Sequence, residues 1–138
     1  MTAAKTVSSC VLAIFMIGAG TMHFVKPEFY LRIMPPYLPW HNELVVVSGL
    51  CEIGLGVLLL IPRWSVAAAW GIVALLIAVF PANIYLYQHQ ELVPQPPIAH
   101  LLRLPMQGVL ILWAWWHTRS GDATAKRGLI TEQDRGAP

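Results

Sequence analysis

The sequence predicts an all-α fold, an integral membrane four-helix up-down bundle, on three observations. Of 138 residues, 57% are apolar and only 12% are charged, whereas soluble domains carry about a quarter charged residues. Mean hydropathy is +0.58. Four apolar runs, at about 6–24, 42–61, 64–87 and 98–117, are close to the roughly 20 residues that a helix needs to cross a bilayer core.

The first run follows Lys5 and ends in small residues around Gly18-Ala19-Gly20. Those features would also suit a secretory leader, but the run is read here as a span. The segment that follows, 25–41, holds Pro27, Pro35, Pro36 and Pro39. Within it Phe29, Tyr30, Ile33 and Met34 recur at helical spacing, and Pro27 suits a first helical turn. This predicts a short helix lying in the outer interface, with Arg32 turned to water, roofing the space between the spans. Pro62 separates the second and third runs. The prolines of 88–97 separate the third and fourth, because proline cannot continue a helix. Such short links favour antiparallel neighbours. Residues 1–117 form one transmembrane domain. Residues 118–138 carry four basic and three acidic side chains and are expected to be a disordered cytoplasmic tail.

Orientation follows from the basic residues of the loops. Lys5, Arg63, Arg119, Lys126, Arg127 and Arg135 fall on one side, against Lys26 and Arg32 on the other. This predicts that both termini are cytoplasmic. Trp64, Trp70, Trp113, Trp115 and Trp116 then line the inner interface, and Tyr30, Tyr37, Trp40, Tyr85 and Tyr87 the outer one, as aromatic belts do.

Other classes are excluded. A net charge of +2, with no basic patch interleaved with aromatics, argues against nucleic acid. Cys10 and Cys51 are far apart, both lie in apolar runs and no CxxC spacing occurs, which argues against a disulfide framework or a zinc site. No histidines, cysteines or carboxylates share metal-ligand spacing, and no nucleophile–base pair, phosphate loop or haem motif occurs. No catalytic residue can be named, and the chain is not expected to be an enzyme on its own.

What stands out is polarity inside the oil. Glu52 lies ten residues into the second run, roughly 15 Å deep at 1.5 Å per residue. An ionisable group there costs about 2.5–3.5 kcal/mol on insertion scales and normally faces a partner inside the bundle. Ser48 shares its face at i−4. In the fourth run His100, Arg103 and Gln107 share one face, with Gln107 at the depth of Glu52. Arg103 offers a planar fork that fits a carboxylate, so a Glu52–Arg103–Gln107 network is predicted. His23 from the first run and Asn83 from the third add polar capacity to the outer half. Pro81 and Pro105 do the same by leaving the carbonyls of Ile77 and Leu101 without their helical donors. The bland alternative is that these groups only hold four helices in register. Gly18, Gly20, Gly49, Gly54 and Gly56 permit close helix approach and support an expected homodimer.

Several stretches together resemble the DoxX-like family of small four-span membrane proteins: GTMHFVKPEF at 20–29, IMPPYLP at 33–39, SGLCEIGLG at 48–56, AVFPANIY at 78–85 and RLPMQ at 103–107. The resemblance implies a four-helix bundle in a bacterial inner membrane and leaves the activity open. Members include subunits of a thiosulfate:quinone oxidoreductase and maturation factors for another enzyme. A CxxC motif for thiol transfer is missing here. Two readings follow. In the first, the buried polar site binds a small amphipathic molecule, or a membrane or periplasmic partner protein, as an accessory or assembly factor with no cofactor of its own. In the second, the chain is a quinone-binding subunit of an oxidoreductase.

Overall fold

The computed structural model describes residues 3–119, which form five α-helices, one 3-10 turn at Gln90–Leu92 and no strand. The predicted tail lies almost wholly outside the described residues. Helices α1 (Ala3–Val25), α3 (His41–Leu59), α4 (Ser65–Gln88) and α5 (Pro97–Thr118) are long and apolar enough to cross a membrane. Their bounds lie within three residues of those read from the sequence. The short α2 (Pro27–Arg32) begins on Pro27, with Glu28 in its first turn and Arg32 in its last, the charge order that a helix dipole favours. Proline also opens α5, at Pro97, where its missing N–H would have no helical partner in any case.

The four spans form a multi-pass membrane bundle. Helix α1 packs mainly on α3, and α4 on α5; the two pairs meet through α3 and α4, whereas α1 and α5 touch little. The α1–α3 seam is a glycine crossing. A β-carbon on Gly20 would lie 2.7 Å from the Gly49 carbonyl oxygen, and one on Gly56 would lie 3.0 Å from the Ala13 carbonyl oxygen. Without water to drive helices together, such close packing is a main source of association in lipid. This changes the dimer argument. Gly20, Gly49 and Gly56 are used inside the protomer, and only Gly18 and Gly54 of the five have open space around them.

The core is uneven. The half of the bundle nearer the start of α1 and the end of α5, here named the inner half, is packed shut by Leu12, Met16, Leu59, Ala69, Ile72 and Ala114, and the half beneath α2 is named the outer half. At the outer end a small cluster of Ile33, Leu86 and Val93 seats α2 and the 90–97 loop. Between these layers the outer half is hollow.

Candidate functional site

The hollow is a cavity of about 450 Å³ roofed by Phe29 and Tyr30 of α2 and by Ile33 and Met34 just after it. Its walls come from all four spans. Most are apolar, and the polar side chains among them are His23, Tyr30, Ser48, Glu52, Asn83, Arg103 and Gln107. That size, and that mix of an apolar wall with a few convergent polar groups, are usual for small-molecule sites.

Glu52 is buried on α3, and its neighbour is His23 of α1 rather than Arg103. His23 Nε2 lies 3.5 Å from Glu52 Oε2, a spacing without hydrogen-bond geometry, so that Oε2 is buried with no hydrogen-bond partner. The other face of the imidazole is fixed. His23 Nδ1 lies 3.0 Å from the Val45 carbonyl oxygen, and a carbonyl only accepts, so Nδ1 carries a proton. Nε2 is thereby left facing the Glu52 carboxylate oxygen.

The glycines make this meeting possible. A β-carbon on Gly49 would lie 2.8 Å from the His23 β-carbon, and one on Gly20 would lie 2.9 Å from the Glu52 β-carbon. Each glycine thus clears room for the polar residue of the opposite helix.

Arg103 belongs to the same cavity by a longer route. Tyr30 stacks on His23, with ring centroids 3.7 Å apart at 23°. Phe29 meets Tyr30 edge-on at 5.3 Å, and the Arg103 guanidinium sits 5.6 Å from the Phe29 ring centroid, within cation–π range. Its hydrogen bond runs upward to Gln95 Oε1 at 3.5 Å. The predicted direct contact with Glu52 is therefore replaced by a ladder of rings. Tyr30, on the roof, feels both ends of it. Burial raises its phenol pKa above the usual value and the Glu52 charge raises it further, while Arg103 opposes them.

Gln107 is also redirected. It accepts from Asn83 Nδ2 and donates through Nε2 to the Leu76 carbonyl oxygen at 2.6 Å. It therefore ties α5 to α4 next to Pro81, one residue from the carbonyl that the proline was expected to free. Ser48 lines the cavity wall. His100 leaves the predicted set: it is buried, points Nε2 at the Val93 carbonyl oxygen at 3.2 Å, and is not among the lining residues. Sharing a helix face with Arg103 does not bring it to the cavity, because at its level the 90–97 loop, not the bundle interior, covers that face.

A second polar cluster, at the inner end, was missed. Buried His117 of α5 has Ser8 Oγ 3.0 Å from Nε2 and Ser9 Oγ 3.1 Å from Nδ1. Trp113 Nε1 donates to Ser8 Oγ at 2.8 Å, and Lys5 lies over the Trp116 ring. In the sequence the only hint is a Ser-Ser pair near one end of the domain and a histidine near the other.

Among the described residues no group of His, Cys, Asp and Glu could hold a metal ion. No curated protein and no solved structure matches the chain. One family model matches, over residues 12–118, described as a domain of unknown function, DUF8561. That span takes in all four membrane helices but the first turns of α1, together with every residue of the cavity. The chain therefore belongs to the DUF8561 family, with the polar cavity of its outer half inside the family's domain.

Proposed function

We propose that this protein is an accessory membrane protein that binds a small amphipathic molecule in the outer-half cavity. One observation carries the reading: a cavity of about 450 Å³, mostly apolar, is lined by Glu52, a buried carboxylate whose Oε2 has no hydrogen-bond partner. A buried unsatisfied acceptor costs about 1–3 kcal/mol, more when charged. A ligand whose apolar body fills the cavity and whose head donates to Glu52 would remove that cost. Arg103, with one long hydrogen bond, is a second anchor near the mouth.

The setting we propose is a bacterial inner membrane with both termini cytoplasmic. It rests on the six-to-two basic asymmetry of the loops and on the resemblance to DoxX-like proteins. The cavity then faces the periplasmic side. A second reading, a quinone-binding subunit, draws on the meeting of His23 and Glu52 at the cavity wall, since quinone reduction consumes protons and needs groups that can pass them. Electrons would then come from another subunit.

The test is to purify the full chain in mild detergent, extract it with organic solvent and identify what is released. An amphipathic molecule in near-stoichiometric amount is expected, and it should be absent from Ala82→Trp, whose indole would occupy the cavity. Equal trace lipid from both proteins would overturn the reading. Release of a quinone would select the second one.

A further inference from the structure

Where the cavity opens decides what can reach it. The α1–α3 wall is closed by Gly20 and Gly49, the α4–α5 wall by the Asn83–Gln107–Leu76 bonds, and the top by α2. The remaining long seams lie between α1 and α5, which touch little, and between α3 and α4. At the inner end Ser8 of α1 meets Trp113 and His117 of α5. Seven residues outward along each helix, and so on the same face, stand Phe15 and Met106. Both line the cavity, yet they are 46% and 57% exposed. The two helices are pinned at one end and apart at this level. Both residues lie roughly 14–15 Å below the outer helix ends at 1.5 Å per residue, the depth of Glu52. The gap therefore faces the middle of the bilayer rather than water. Ala78, on the α3 side of α4, is the other exposed lining residue and marks the competing route.

Resting on the binding reading above, we propose that the cavity is loaded sideways from the bilayer, between α1 and α5. Its ligand is a neutral, hydroxyl-bearing, single-chain lipid: the hydroxyl donates to the Glu52 carboxylate, and the tail runs out past Phe15 and Met106. Two physical facts select this class. A charged headgroup stays at the membrane surface, because a charge at mid-bilayer is costly, so only a neutral head travels at the depth of this gap. An unpartnered carboxylate oxygen calls for a donor, which a hydroxyl supplies and an ether does not. The hydroxyl can belong to an alcohol or to a phenol, and the probes separate these sources.

The experiment uses the full chain in lipid nanodiscs, with Cys10→Ser and Cys51→Ser as background. Bound lipid is read by native mass spectrometry. Geranylgeraniol, its methyl ether, a prenylated hydroquinone and a long-chain fatty acid are offered in turn. The alcohol or the hydroquinone, or both, should be retained at least tenfold better than the ether and the fatty acid. Whichever is retained identifies the source. Phe15→Cys with Met106→Cys is then joined by a cleavable bis-thiol linker. Ligand exchange should slow at least tenfold, and cleaving the linker in the same sample should restore it, which shows that the protein was folded throughout. Equal retention of alcohol and ether overturns the assigned head chemistry. Exchange unaffected by the linker, but slowed by Ala78→Trp, overturns the route. Binding of none of the probes, and of nothing from the membrane, would instead remove the binding reading on which this one rests.

Discussion

His117 in the inner half of the bundle and His23 in the outer half are both buried against hydroxyl, carboxyl or carbonyl groups, and their settings differ. In the inner half both ring nitrogens of His117 face serine hydroxyls, 3.0 and 3.1 Å away, and apolar side chains fill the space around them. In the outer half His23 is held on one side by a carbonyl and on the other faces a carboxylate oxygen that has no hydrogen bond, beside an open volume. A satisfied buried cluster rigidifies a fold, whereas an unsatisfied one costs stability. The inner cluster is a clasp that joins α1 to α5. The outer one is the binding site we propose.

The largest effect expected is on the seam that both halves share. Gly20→Val would force side-chain atoms into the Gly49 carbonyl and the Ile53 side chain. It should destabilise the bundle by about 1–3 kcal/mol or more, read as a drop in the detergent unfolding midpoint. A wild-type midpoint would mean that α1 and α3 are not closely crossed.

Next comes the clasp. His117→Ala leaves buried serine hydroxyls without that partner, at about 1–3 kcal/mol, while bound lipid in the outer cavity should be retained. Loss of ligand with unchanged stability would reverse the roles of the two halves.

The pairing of Glu52 is sharpened by two double-mutant cycles. Glu52→Leu with His23→Leu should show a coupling of about 0.5–3 kcal/mol, as residues in contact do. Glu52→Leu with Arg103→Met should be additive to within about 0.5 kcal/mol. If the second pair couples and the first does not, the sequence-based pairing was right and the ring ladder is wrong.

The smallest effect expected is in the pH dependence. Tyr30 has a phenol pKa raised by burial and by the Glu52 charge. A raised folded-state pKa gives stability that is present below the ordinary tyrosine range and is lost as pH rises through the folded value, because the unfolded chain releases its proton first. Stability should therefore fall on going alkaline, and less steeply in Tyr30→Phe. Identical slopes would mean that Tyr30 is solvated.

The spans were legible because bilayer thickness fixes their length, and Pro62 and the prolines of 88–97 have few structural meanings. The roof was legible from Pro27 and the helical spacing after it. Depth was legible too: Glu52, Gln107 and the cavity share one level. What the sequence does not carry is the rotation of each helix about its axis relative to its neighbours. Arg103 and Glu52 had compatible depth and opposite charge, and neither property shows whether two helix faces meet. The glycines held the missing signal. Gly20 precedes His23 by three residues and Gly49 precedes Glu52 by three, so a crossing at the glycines brings those two polar residues together. The inner clasp was illegible for a similar reason. Ser8 and His117 are 109 residues apart, and only closure of the bundle makes them neighbours.

The central claim is that the outer polar cluster serves binding and the inner one serves the fold. It is tested most directly by measuring retained lipid and unfolding midpoint together for Glu52→Leu and His117→Ala, from membranes prepared alike. Replacing an unbonded acceptor by an apolar side chain of similar size is close to neutral for stability. Glu52→Leu should therefore unfold within about 1 kcal/mol of wild type, as such replacements do, and emerge without its lipid. His117→Ala should unfold earlier and still carry it. If Glu52→Leu instead unfolds as early as His117→Ala and keeps the lipid, Glu52 belongs to the scaffold, and the distinction between the two halves fails.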